Sequence, residues 1–197
     1  MTCSAVDERE LERLRRRIFL ALFTALAVAL HTIEVLLPSP APWFRFGFAN
    51  ILALLALFLY GPRAAWGLTL ARIGIGSLLL GQFFSPGFLL SLAGGSAATA
   101  AMTGARGLFG RRLGPVGASV LGAAAHTAGQ LLVAWLLVVR HGAVWRLFPF
   151  FLLFALGTGL ANGLAADYLL EQLRRHAAFR LAAAGGGREK QDTGLDC

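Results

Sequence analysis

Residues 64–81 read AAWGLTLARIGIGSLLLG, an apolar stretch of eighteen residues with one arginine, Arg72, in its middle. At 1.5 Å per residue such a helix rises about 27 Å, close to the roughly 30 Å of a bilayer's hydrocarbon core. A cation at that depth costs roughly 2.5–3.5 kcal/mol on insertion scales, so it marks a functional site by default. No other Lys or Arg falls inside a stretch of this kind. Two roles fit Arg72. It is a structural plug bonded to helix-end carbonyls or one acidic partner, or it is a ligand contact facing a cavity.

The rest of the chain repeats the pattern. Its 197 residues are 57% hydrophobic with mean hydropathy +0.67, against roughly 45–50% apolar in soluble domains. Further apolar segments run over 18–37, 46–60, 87–103, 114–139 and 147–170, making six. The first, third, fourth and sixth meet the length of a spanning helix comfortably. The fifth is long, and the second is short. No window alternates as a barrel strand would. The expected fold is an all-α, polytopic membrane protein of six transmembrane helices. It comprises a charged N-terminal segment (1–17), a helical domain (18–170) and a basic, disordered tail (171–197). Residues 8–17 continue as a charged helix into the first span, whose apolar run is too long for a cleaved signal.

The net charge of +8 would suggest nucleic acid in a soluble protein, but here the arginines lie between spans. With both termini inside, fourteen of the eighteen Lys and Arg fall on cytoplasmic segments and three, Arg45, Arg140 and Arg146, on outer loops. That asymmetry orients the chain in a bacterial cytoplasmic membrane, with no nucleic-acid partner. Cys3 and Cys197 stand at the extremes of the chain, with neither metal-ligand spacing nor a disulfide framework.

Helical rise places the polar residues by depth. His31 and Glu34, spaced i,i+3, share one face of the first helix at about 20 and 24 Å above its inner end. His126 and Gln130, spaced i,i+4, share a face of the fifth at about 18 and 24 Å. Ser91, Ser96 and Asn50 fall in the same outer half, the pattern of a cavity that opens outward. A direct Glu34–Arg72 pair is near the limit of reach. Each histidine or glutamine also has a plainer reading as a hydrogen bond between helices, worth about 0.6 kcal/mol. Glu34 needs a partner, a ligand or the interface. Asp167 reads as a solvated helix end. Ala21, Ala25 and Ala29 form a smooth stripe on the first helix. Gly74 and Gly76 lie on the third, and Gly159 and Gly163 make a GxxxG on the last, all of which permit close helix packing.

Three features read together: ALHTIEVLLPSPAPWFRFGFANI (29–51), YGPRAAWGLTLARIGIGSLLLGQFFSPGFLLSLAGG (60–95) and the six-span arrangement. Over roughly 18–170 the chain resembles the Gx transporter family, which is also labelled heptaprenyl diphosphate synthase component I. That family is related in architecture to the substrate-binding components of energy-coupling-factor transporters. The resemblance implies a substrate-binding-component-like bundle with an outward-facing small-molecule site at His31, Glu34, Arg45, Asn50, Arg72 and the Gly94–Gly95 pair. It implies that Ala21, Ala25 and Ala29 meet a transmembrane coupling subunit, which works with ATPase subunits. The loop 38–47, with three prolines and Trp43, Phe44 and Phe46, would cap the site.

Prenyl diphosphate synthesis needs clustered carboxylates to hold Mg²⁺. The chain has ten acidic residues, none within three positions of another between Glu12 and Asp167, and no phosphate-binding loop. The expectation is a non-enzyme without a metal or cofactor. It would be either a transporter component or an accessory membrane subunit of isoprenoid, quinone or flavin-linked redox metabolism.

Overall fold

The computed structural model describes residues 3–36, 47–139, 142 and 144–175. Among them the chain forms six α-helices: α1 (Cys3–Leu36), α2 (Phe48–Tyr60), α3 (Pro62–Leu79), α4 (Pro86–Phe109), α5 (Pro115–Ala134) and α6 (Val144–Arg175). The expected all-helical fold is the observed one. The charged N-terminal segment does continue into the first span without a break. The loop 38–46 and the tail beyond Arg175 lie outside the described residues, while residues 171–175, expected in the disordered tail, are instead the last turns of α6.

Local sequence sets the helix boundaries. Pro62, Pro86 and Pro115 each open a helix at its first turn, where a missing N–H is harmless. The hydroxyl of Ser85 accepts from Phe88 N at 3.2 Å, so the S-P-G-F run is a capped helix start. Gly61, at φ 91°, makes the tight turn that joins α2 directly to α3. At the end of α5 the ladder widens into a π turn over Trp135–Val139, whose Trp135 ring meets Trp145 of α6 edge to face.

The organising element is α2. It packs against all five other helices, which form an arc around it in the order α1, α3, α4, α5, α6. Its composition explains the position, since Leu52 through Leu57 are all buried and a helix apolar on every side belongs inside. Elsewhere the apolar surface faces outward. Leu22, Leu26, Leu70, Ile75, Leu121, Leu153 and Leu164 are all exposed, the surface a lipid solvent requires. The arginines at the α2–α3 turn, the end of α4 and the end of α6 gather at one basic end of the bundle, where Arg16 donates to Tyr60 O at 3.2 Å.

Among the described residues, four helices are long and apolar enough to cross a membrane: 13–34, 86–109, 115–137 and 145–175. The third segment, expected among the comfortable spans, is not one of these, whereas the fifth is. Thr69, Arg72 and Ser77 dilute α3, yet all three are buried against protein. A polar helix is tolerated at membrane depth when its neighbours, and not lipid, surround it.

The GxxxG of the last span packs within the fold. A Cβ at Gly163 would lie 2.8 Å from Val116 Cα, and one at Gly159 would lie 2.9 Å from Ala123 Cβ. Both neighbours belong to α5. Gly157, on the same helix, has nothing within 4 Å. Gly163→Leu should therefore destabilise the fold by about 1–3 kcal/mol through overpacking. Gly157→Ala should be neutral or stabilising by up to about 1 kcal/mol. Thermal denaturation in detergent compares the two directly.

Candidate functional site

α2 is only thirteen residues long, about 20 Å of rise against a core of about 30 Å. With its C-terminal end at the basic end of the bundle, its N-terminus lies well inside the membrane. The first N–H groups of a helix have no partner within it, and at that depth water cannot supply one. Glu34 of α1 provides the answer, its Oε1 accepting from Phe48 N at 2.5 Å. A carboxylate at a helix N-terminus is stabilised by both the charged hydrogen bond and the helix dipole. The start of α2 is closed by Gly47, at φ 75°, whose carbonyl accepts from Asn50 N at 2.8 Å and from Asn162 Nδ2 of α6 at 3.4 Å.

Arg72 is buried one helix away. Its Nη2 donates to Asn50 Oδ1 at 2.5 Å. The pairing has a simple geometric origin. Asn50 stands ten residues before Tyr60, Arg72 stands ten after Pro62, and Gly61 joins the two helices. Both side chains therefore lie about 15 Å from the turn. Of the two structural partners expected for Arg72, carbonyls or Glu34, neither is the one this bond uses.

The other polar residues gather around the glycines of α3 and α4. The His31 imidazole lies over Gly76, where a Cβ would come within 2.8 Å of its Cδ2. His126 and Gln130 both cover Gly94, whose Cβ would meet Gln130 Cγ at 2.7 Å and His126 Cε1 at 2.9 Å. The neighbouring Gly95 faces α3, where a Cβ would lie 2.7 Å from Ile73 Cδ1 and 3.8 Å from Arg72 Nη2. The glycine pair lets α4 serve both sides at once: α5 brings its polar face to one residue and α3 brings Arg72 to the next. His31, Glu34, Arg72 and Gln130 are 6, 9, 4 and 5% exposed, so all four are buried.

Several expected members have other places. Ser91 is buried, but its hydroxyl donates to Gly87 O of its own helix at 2.7 Å. Ser96 is half-buried. Arg45, with Trp43, Phe44 and Phe46 of the expected cap, lies outside the described residues. Ala21, Ala25 and Ala29 are all exposed, and the first two line an apolar groove of about 720 Å³ between α1 and α3. Asp167 is exposed beside the basic end, as expected, but α6 runs on to Arg175, so it is not a helix end.

Sequence reasoning missed Asn162, which ties α6 to the start of α2. The signal was present, an asparagine inside an apolar span, but it sits within the GxxxG and was overshadowed by the glycines. It also missed the bond between Thr69 and Thr99, whose hydroxyls meet at 3.0 Å to join α3 to α4.

The chain belongs to the family described as heptaprenyl diphosphate synthase component I, whose sequence model matches residues 23–169. That range takes in every residue of the buried polar cluster. No curated protein and no solved structure matches it.

The Asn50–Arg72 contact can be measured as a coupling. Arg72→Leu and Asn50→Leu should be non-additive in a double-mutant cycle, with an interaction of about 0.5–3 kcal/mol. Glu34→Leu should cost about 1–3 kcal/mol, because it leaves the Phe48 N–H unsatisfied. Glu34→Gln keeps an acceptor and should cost less. Equilibrium unfolding in mixed micelles reads all of these.

Proposed function

We propose that this chain is the substrate-binding membrane component of an energy-coupling-factor-like transporter and captures a small molecule from the outside. The observation that carries the reading is the convergence of polar side chains from five helices at one level. His31 and Glu34 come from α1, Asn50 from α2, Arg72 from α3, His126 and Gln130 from α5, and Asn162 from α6, while α4 contributes Gly94 and Gly95. Intramembrane ionisable groups are costly and are kept for ligands or ion pathways. Helices that begin at membrane depth, with their N–H ends turned to a polar site, are a recurring device in transporters. On this reading the basic end faces the cytoplasm, as the arginine asymmetry indicates.

The second half of the proposal concerns partners. The family description is that of one component, so this chain works with another subunit. The exposed alanine stripe and the groove beside it suit a transmembrane helix of that partner, because small residues allow close approach in lipid. In the proposal the partner is a coupling subunit that draws on ATPase subunits. The chain itself is non-catalytic, since its few carboxylates are too scattered to assemble a metal-bound diphosphate.

The family description favours a second reading: an accessory membrane subunit of isoprenoid, quinone or flavin-linked redox metabolism. The two readings part at the cluster. A transported ligand needs the polar residues, whereas an accessory scaffold depends on the small-residue faces.

Ala25→Leu should leave the chain folded and able to bind ligand while abolishing complex formation and uptake. Uptake that persists with the partner still bound would show the stripe to be merely lipid-facing. His31→Ala should weaken ligand binding by about tenfold or more without loss of fold, as expected when one buried hydrogen-bonding partner is removed. Calorimetry on the purified chain, with any ligand it retains identified by native mass spectrometry, reads that second outcome.

A further inference from the structure

The basic end of the bundle, away from the buried polar cluster, holds a cavity of about 680 Å³ between α2, α4, α5 and α6. Its walls differ in charge. On the first, the Arg106 guanidinium of α4 lies 4.0 Å from the centroid of the Phe58 ring and donates through Nη1 to Leu113 O at 3.2 Å. A guanidinium held between a ring and a carbonyl is in place before any ligand arrives. Gly114 and Pro115 line the cavity beside it, and no side chain caps the helix that starts there. The partial positive charge at the start of α5 therefore adds to that of Arg106.

The second wall is α6. Asp167, Glu171 and Arg174, spaced by four and three residues, line the cavity from one face of the helix. Glu171 accepts from Arg175 at 2.5 Å, so those two charges offset each other. Asp167 differs, for among the described residues it enters no ion pair or hydrogen bond. Gly163 of α6 packs on Val116 of α5, so Asp167, one turn further on, stands near the level of Gly114. A carboxylate and an arginine thus line one open space without meeting. Phe58, Leu113 and Leu170 supply an apolar lining between them.

Neither charge by itself describes an occupant. A simple anion drawn to Arg106 also meets Asp167, and a simple cation drawn to Asp167 also meets Arg106 and the positive end of α5. A group that carries both charges answers both walls. We infer that this cavity binds a phosphoethanolamine group, its phosphate toward Arg106 and the start of α5 and its ammonium toward Asp167. An arginine fork matches phosphate geometry, and an ammonium brings N–H donors that a carboxylate accepts. The group is the head of a phosphatidylethanolamine at the bilayer surface, and it also occurs free of lipid in glycerophosphoethanolamine. The site is separate from the polar cluster and stands whether or not that cluster takes a ligand.

The test titrates the full chain, in detergent micelles, with phosphatidylethanolamine, phosphatidylcholine and phosphatidylglycerol of identical acyl chains, and native mass spectrometry counts the bound lipids. Phosphatidylcholine keeps both charges but has no ammonium N–H, and phosphatidylglycerol has no cation. Phosphatidylethanolamine should bind with a Kd about tenfold below either. Asp167→Asn, an isosteric change at an exposed position, should erase that preference while the melting temperature holds. Arg106→Gln should weaken all three lipids, and the Asp167 variant decides the matter by itself if Arg106→Gln fails to fold. Glycerophosphoethanolamine in excess should displace the lipid if the site serves a soluble ligand and leave it bound if the site serves the membrane lipid. Phosphatidylglycerol binding as tightly as phosphatidylethanolamine to the wild-type chain would reduce the cavity to a plain anion site and overturn the inference. A preference that survives in Asp167→Asn, or wild-type binding by a folded Arg106→Gln, would overturn it equally.

Discussion

A helix that starts inside a membrane brings unsatisfied N–H groups to a place without water, and the start of α2 is that place in this protein. The Glu34 carboxylate meets the first of those groups at Phe48, and the rest of the polar architecture follows from the constraint. A carboxylate at this depth needs a helix end or a cation to hold it, and the helix end needs the carboxylate. Gly47 turns the chain into α2, and its carbonyl gathers donors from α2 itself and from α6. One short helix thus draws α1 and α6, the two ends of the surrounding arc, to a common point.

Glycine supplies the room for this convergence. Where His31 lies over Gly76 and Gln130 over Gly94, even a methyl group would come within about 3 Å of the side chain above it. These glycines hold imidazole and amide groups close to the backbone of the facing helix and exclude lipid from the cluster. Gly159 and Gly163 act differently, bringing α6 against the backbone of α5 to close the bundle. The same residue type therefore makes space for polar side chains in one half of the fold and for a tight helix interface in the other.

Membership in the heptaprenyl diphosphate synthase component I family, over residues 23–169, sets the chain among membrane components that act with another subunit. The buried cluster and the exposed α1–α3 groove occupy different parts of the bundle, one enclosed by helices and the other open along its side. On the proposed reading, ligand and partner would then be held at the same time. That separation is what lets substitutions in one region be read independently of the other.

The sequence by itself determined the class: six apolar segments, no strand alternation, and arginines sorted to one side. Hydropathy and charge are local properties that a bilayer reads directly, so no packing knowledge was needed. It also determined which residues would be out of place in lipid, since His31, Glu34, Asn50, Arg72, His126 and Gln130 announce themselves by chemistry alone. Even the meeting of Asn50 with Arg72 was legible in principle, as equal eleven-residue offsets from Gly61. Only the tertiary structure decided who partners whom. Depth along a helix follows from counting residues, but the azimuth at which each helix presents its face depends on how neighbours pack. Glu34 therefore went to the end of α2, and Arg72 bonded Asn50. Asn162 entered the cluster from a helix remembered for its glycines, and the third segment proved shielded by protein and too polar to rank as a span by itself. Those outcomes rest on contacts between residues far apart in the chain, which periodicity cannot encode.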